Sequence, residues 1–234
     1  MPAPEAPAGT PVEGSVALVT GGQRGLGRAV VEELLARGAG KVYATARDPR
    51  PEHDPRIVPL ALEVTDEDST ASVVRQAGDV SILVNNAGVS RRTSILTSPM
   101  EDIRAEFETN VFGLLHVARA FAPVLAENSP GVMLNVLSVR SWLATGKGYD
   151  ATKAAGWSIT NSLRDGLRDQ GTNVIGFYVA YIDTAMTTGF DVPKLSPGQV
   201  ARQAVEAIAA GASEVLADDE TREVRAKLSE PITG

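Results

Sequence analysis

Thr20–Gly27 (TGGQRGLG) follows an apolar run, Ser15–Thr20 (SVALVT), and leads straight into an amphipathic one, Ala29–Gly38 (AVVEELLARG). A strand, a glycine turn and a helix in that order are what a dinucleotide site requires. Glycines permit positive φ and close backbone approach, and the helix start offers free N–H groups and a positive dipole end to a pyrophosphate. An ordinary glycine-rich β-α turn has the same outline, but the strand before and the helix after favour nucleotide binding. No Gly-Lys-Ser/Thr follows, which argues against phosphoryl transfer. Gly21, Gln23, Arg24, Gly25, Leu26 and Gly27 are the loop residues expected against the nucleotide.

Outward from this loop, short β-rich runs alternate with longer amphipathic ones, the pattern of βαβ units around a parallel sheet. Strands are expected at Ser15–Thr20, Lys41–Ala46, Ile57–Leu62, Val80–Asn85, Val132–Ser138 and Asn173–Ala180, with a short seventh at Glu214–Ala217. Their Val/Ile/Leu runs lack polar alternation and suit strands covered on both faces. Helices are expected at Gly25–Arg37, Asp66–Gln76, Pro99–Glu127, Gly148–Gln170 and Pro197–Ala210. No repeat or low-complexity linker interrupts them. The expected fold is therefore α/β, a single Rossmann-type doubly wound parallel sheet of about seven strands with helices on both faces. Residues 1–13 read as a disordered, frayed Pro/Ala tail and 14–234 as one dinucleotide-binding and catalytic domain. The long helices 99–127 and 148–170 carry small and apolar residues on more than one face, which suits a homodimer or homotetramer as well as simple packing on the sheet.

The 234 residues are 43% hydrophobic, enough for a sizeable core. A net charge of -7 gives no broad attraction for nucleic acid or anionic membranes. With no cysteine and only His53 and His116 as imidazoles, disulfides, thiolate catalysis and cysteine-based metal sites are excluded, and no metal site is expected. The apolar stretches look strand-sized and the N-terminus lacks the form of a signal peptide, so a cytoplasmic protein is expected.

The end of the second strand bears on which nucleotide is bound. An NAD site commonly places an acid there against the ribose 2′-hydroxyl. Here Ala46-Arg47-Asp48 offers Arg47 to a 2′-phosphate, with Arg24 in reach of the same group. NADP(H) is the expected cofactor; the other reading makes Asp48 the acid of an NAD site.

Four further markers stand in order: NNAG at Asn85–Gly88, Asn110 in ETNVFG, Ser138 in NVLSV, and Tyr149-Asp150-Ala151-Thr152-Lys153. With TGGQRGLG, this set resembles the short-chain dehydrogenase/reductase family, of the compact single-domain type, from Ser15 to about Ala217. A Tyr-x-x-x-Lys alone is weak; the ordered set is specific. Tyr149 and Lys153, spaced i,i+4, project from one helix face. A free tyrosine has a pKa near 10, and a neighbouring ammonium favours the phenolate by about 1–3 units. Tyr149 then serves as acid or base toward a carbonyl or alcohol oxygen as hydride moves to or from a nicotinamide.

The resemblance implies that Ser138 hydrogen-bonds the same oxygen and that Asn110 holds a water beside Lys153. It places Asn86, Ala87 and Gly88 near the adenosine ribose and Val64 beside the adenine, with Glu63 where the family usually has Asp. It also puts Thr184 and the Ile182 backbone against the carboxamide, and Tyr149 and Lys153 at the nicotinamide ribose. Two departures stand out. Val179-Ala180 replaces the family's common Pro-Gly, and the Ser138–Tyr149 segment is about two residues short, which leaves Ser141 as a rival for the serine role. The substrate cleft is expected to include Val89, Arg91, Arg92, Val139, Arg140, Trp142, Leu143, Met186 and Phe190, a largely apolar set for a small to medium ketone or secondary alcohol. The alternatives are a cofactor-binding protein with little or no turnover, and an isomerase or dehydratase on the same fold.

Overall fold

The structure, a computed structural model, describes residues 9–230. Seven strands, β1 (Val16–Val19), β2 (Lys41–Ala46), β3 (Ile57–Ala61), β4 (Ile82–Asn85), β5 (Val132–Val136), β6 (Asn173–Tyr178) and β7 (Glu214–Leu216), form one sheet in the order β3-β2-β1-β4-β5-β6-β7. All six pairings are parallel. The helices are α1 (Gly25–Ala36), α2 (Glu67–Gln76), α3 (Met100–Phe107), α4 (Leu114–Glu127), α5 (Gly148–Gly166), α6 (Pro197–Ala210) and α7 (Asp219–Ala226).

Apolar residues serve both faces of the sheet. Ala17, Val19, Ile82, Val84, Val132, Leu134, Ile175 and Phe177 pack with Val30 and Leu34 of α1 and Val205 and Ile208 of α6. Their strand neighbours Leu18, Leu83, Met133 and Val174 point the other way, against Val73 of α2 and Val117, Phe121 and Leu125 of α4. This double coverage explains why the strands read as continuous apolar runs. Local chemistry marks the helix ends. Asp66 accepts from the N–H groups of Asp68 and Ser69 at the start of α2. At α6, Ser196 and Gln199 form a capping box, Pro197 opens the helix, and Gly211 at φ 69° closes it.

Several expectations are corrected. The frayed tail fails at residues 9–13, where Thr10 and Val12 are buried and the Thr10 N–H donates to the Ile208 carbonyl. Residues 1–8 and 231–234 lie outside the described residues. Most strands end one or two residues short of their sequence runs, because ladder pairing stops before the apolar pattern does. The run 99–127 is longer and more apolar than the strand-sized stretches expected, yet more than half of its most apolar 18-residue stretch is buried within the molecule. It divides into α3, a π-helical segment Glu108–Gly113, and α4. The 148–170 helix closes at Gly166 ahead of a turn through Gly171 at φ 77°. Finally, α7 was not anticipated.

Candidate active site

The strand order reverses between β1 and β4, and the loops leaving the carboxyl ends of β1, β4, β5 and β6 converge there. The glycine loop is braced from β4: the Asn86 amide donates to the Thr20 carbonyl at 2.8 Å, and the Thr20 hydroxyl accepts from the N–H groups of Asn86 and Ala87. Gly25 adopts φ 54°, and a Cβ there would point at the Thr184 methyl at 3.6 Å, across the mouth of the loop. A Cβ at Gly27 would strike the Gly21 carbonyl. No side chain caps the first turn of α1 and no acid stands in it, so its N–H groups and dipole remain for an external anion. These features fit a dinucleotide pyrophosphate.

Two arginines flank that loop. Arg24 is exposed at the start of α1 and Arg47 at the end of β2, and a Gly22 N–H to Thr45 carbonyl bond of 2.9 Å laces the two segments together. Gln23 behaves differently from expectation. Its side chain exchanges hydrogen bonds with the Arg50 backbone and donates to Glu52, so it braces the segment beyond Arg47 and leaves the cleft to its neighbours. The Leu26 side chain is likewise turned into the core, leaving its backbone for a ligand. Val64 is buried and so close to Gly113 that no Cβ fits between them, and the Glu63 carboxylate accepts from Thr65 in a local turn.

Tyr149 and Lys153 share one face of α5, with the ammonium 5.6 Å from the phenol ring centre. Lys153 is buried and donates to the Val136 carbonyl at 3.0 Å. Burial lowers its pKa to about 8. The Tyr149 phenol is pushed well above its ordinary value by burial, while hydrogen bonding to Ser138 and the charge of Arg140 pull it back. The downward shift expected from Lys153 is not what this structure gives: desolvation outweighs the lowering effects of Ser138 and Arg140. Ser141 faces away, donating to the Lys153 carbonyl within the fold, so Ser138 is the serine that meets the phenol. The Asn110 side chain spends both amide protons, on the Val89 carbonyl and the Thr152 hydroxyl, and accepts from the Val89 N–H. It ties the β4 loop to α5, and the water-holding role implied for it is not carried by those protons. Its Oδ1 and the Lys153 ammonium both border Gly88, at 3.3 and 4.0 Å from where a Cβ would sit.

Beyond β6, Val179 is a core residue and Ala180 lies outside the left-handed region, so alanine stands there without strain. The Ala180 N–H donates to Asp218, whose carboxylate also accepts from the Thr221 N–H and hydroxyl to cap α7. One carboxylate therefore anchors both the helix and the strap that carries Ile182 and Thr184. Asp218→Ala is expected to cost about 1–3 kcal/mol, combining a lost cap with an unpaired N–H. Thermal melts should fall by about 2–4 °C for each kcal/mol in a chain of this size; an unchanged midpoint would refute the anchoring.

The expected substrate lining is only partly assembled. Val139 is wholly buried, Arg91 pairs with Asp102, and Trp142 stacks on Tyr178 at 4.3 Å. Arg92 instead reaches across the mouth, its guanidinium over the Phe190 ring at 4.6 Å and bonded to the Thr188 carbonyl. Arg140 donates to the Tyr181 hydroxyl at 2.6 Å, and Tyr181 leans on Phe190. Thr93, Glu106, Tyr181 and Asp218 all shape this region and none was singled out from the sequence. Asp218 alone had a legible signal, an acid ahead of Asp-Glu-Thr at a helix start.

Residues 15–193 match the family described as short chain dehydrogenase. The chain is 33% identical over 190 residues to the 3-oxoacyl-[acyl-carrier-protein] reductase of Escherichia coli, covering 75% of this chain and 76% of that protein. It is 31% identical over 191 residues to an uncharacterized oxidoreductase of Staphylococcus epidermidis, covering 77% and 83%. A short chain dehydrogenase from Burkholderia cenocepacia, solved in complex with NADP, superposes with a TM-score of 0.89 at 36% identity over 94% of this chain and 95% of that one. The ordered motifs, the seven-stranded parallel sheet and these matches agree: the chain belongs to the short-chain dehydrogenase/reductase family of oxidoreductases.

Proposed function

We propose that this protein is an NADP(H)-dependent oxidoreductase that interconverts a ketone and a secondary alcohol on a small to medium, largely apolar substrate, with Tyr149 as the proton donor and acceptor. The observation that carries the reading is the convergence of Ser138, Tyr149 and Lys153 beside an uncapped glycine loop flanked by Arg24 and Arg47. When bound, the nicotinamide supplies or takes up hydride. The chain's own residues do the rest. The α1 N–H groups and the two arginines hold the phosphates, and Thr184 with the Ile182 backbone orients the carboxamide. Ser138 and Tyr149 take the substrate oxygen between them. A neutral phenol is the form that can protonate that oxygen during reduction. The ketone class draws support from the oxoacyl reductase relative, and NADP from the complexed neighbour. Leu115 of α4 and Ile159 and Leu163 of α5 line an open cavity of about 280 Å³, a surface suited to the proposed homodimer or homotetramer.

The direct test incubates purified protein with NADPH and a panel of ketones, following NADPH consumption, alongside titrations of NADPH and NADH. Turnover with tighter NADPH binding supports the proposal. Binding without turnover on any ketone would leave a cofactor-binding protein. Lys153 gives a further expectation, because its ammonium persists below about pH 8 and is lost above it. The kcat for reduction should hold below that value and fall as pH rises through it. A profile flat across this range would remove the Lys153 charge from the reaction.

A further inference from the structure

Glu106 on α3 is fully buried, an unfavourable place for a carboxylate unless donors surround it. Its two oxygens are divided. One accepts from the Arg91 N–H at 2.6 Å, and the other from the Thr93 hydroxyl at 2.7 Å. Between those donors sits Arg92, the one non-glycine residue with positive φ among the described residues, at 55°. A strained residue of this kind persists only where its surroundings over-determine it, and Glu106 supplies that by holding the Arg91 backbone on one side and the Thr93 side chain on the other.

The Thr93 hydroxyl continues inward. Its oxygen accepts from the Gly148 N–H at 3.2 Å, and Gly148 is the first residue of α5, immediately before Tyr149. Thr93 and Gly148 are buried with Glu106. A Cβ on Gly148 would lie 2.6 Å from the Thr93 hydroxyl oxygen and 2.7 Å from the Glu106 carboxylate, so the packing there admits only glycine.

We propose that Glu106 is a positioning residue for the reaction. Through Thr93 and Gly148 it sets where α5 begins, and so where the Tyr149 phenol stands, while the same carboxylate holds the Arg92 turn that reaches the 185–192 loop. One buried group thereby links the proton-transfer residue to the mouth of the cleft. The inference rests on the oxidoreductase reading above.

The test uses the full chain and the variants Glu106→Gln, Thr93→Val and Thr93→Ser. Three quantities are read: kcat with a ketone from the panel, the NADPH dissociation constant, and hydrogen exchange of the Gly148–Lys153 amides without cofactor. Glu106→Gln and Thr93→Val are expected to lower kcat by about 10- to 100-fold, the scale of a small misplacement of a reacting group, with NADPH affinity within about two-fold. Exchange at the start of α5 should quicken in both. Thr93→Ser keeps the hydroxyl and should restore kcat to within about three-fold of the parent.

Parental kcat and exchange in Thr93→Val would overturn the proposal, as would a kcat loss matched by an equal loss of NADPH binding, which marks general damage to the fold. If Glu106→Gln does not fold, Thr93→Val and Thr93→Ser decide. If the parent protein reduces no ketone, the oxidoreductase reading fails separately, and the exchange measurement still judges the network: unchanged protection at Gly148 and Tyr149 refutes it.

Discussion

Tyr149→Phe is expected to lower kcat for ketone reduction by about 100- to 10,000-fold, the usual weight of a positioned proton donor. The substitution removes one oxygen and keeps the ring, so the apolar packing around α5 survives. The glycine loop, Arg24, Arg47 and Thr184 do not contact the phenol oxygen among the hydrogen bonds of this structure, so NADPH affinity should stay within about 1 kcal/mol of the parent. A loss confined to kcat is the signature of an interaction made in the transition state. On the proposed mechanism, phenylalanine leaves Ser138 alone to meet the substrate oxygen. Near-parental kcat in this variant, measured on a ketone the parent reduces, would remove Tyr149 from the mechanism.

The sheet was legible because its strands are apolar on both faces and separated by strong helix signals. Asp66, and Ser196 with Pro197, announce their helices through side-chain chemistry that depends only on near neighbours. The break at Glu108–Gly113 was not legible. A π segment adds its extra residue without proline, and the apolar periodicity of 99–127 runs on through it. For α7 the reason is reversed: DETREVRA offers almost no apolar stripe, and its cap at Asp218 carries the signal instead.

Site geometry divides in the same way. The Tyr149–Lys153 spacing fixes a shared face from helix geometry alone, and in the structure Tyr149 stands at Ser138 and Lys153 on the Val136 carbonyl. Which serine meets the phenol depends on where the 139–141 turn points, and that turn sends Ser141 back to the α5 backbone. Glu106 reads as one more surface charge in AEFETN. Only the fold shows it enclosed by Arg91 and Thr93, donors from the loop after β4. The state of Tyr149 is the clearest case. The Lys153 ammonium, visible in the sequence at i,i+4, favours a lowered phenol pKa, but desolvation, which depends on everything packed around α5, drives it upward.

Arg47→Asp is expected to weaken NADPH binding by about 2–3 kcal/mol, or about 30- to 150-fold, and to shift preference toward NADH. The argument begins with what Arg47 does in the protein itself. It is exposed at the end of β2 and forms no ion pair among the described residues, so its replacement should cost the fold little. Arg28 differs, because Glu32 and Glu52 engage it and hold its pKa up. Glu52 is in turn held by Gln23, which fixes the segment beyond Arg47 against the glycine loop. The cations proposed for a 2′-phosphate, Arg24 and Arg47, form no ion pair among the described residues and stand on segments laced together by the Gly22 to Thr45 bond. Aspartate at position 47 exchanges attraction for repulsion toward that phosphate, yet can accept a hydrogen bond from the 2′-hydroxyl of NADH. Affinity for NADH should hence hold or rise while that for NADPH falls. Paired titrations of both cofactors on parent and variant decide the matter: equal affinities in the parent, or parallel losses in the variant, would mean that neither arginine reads the 2′-phosphate.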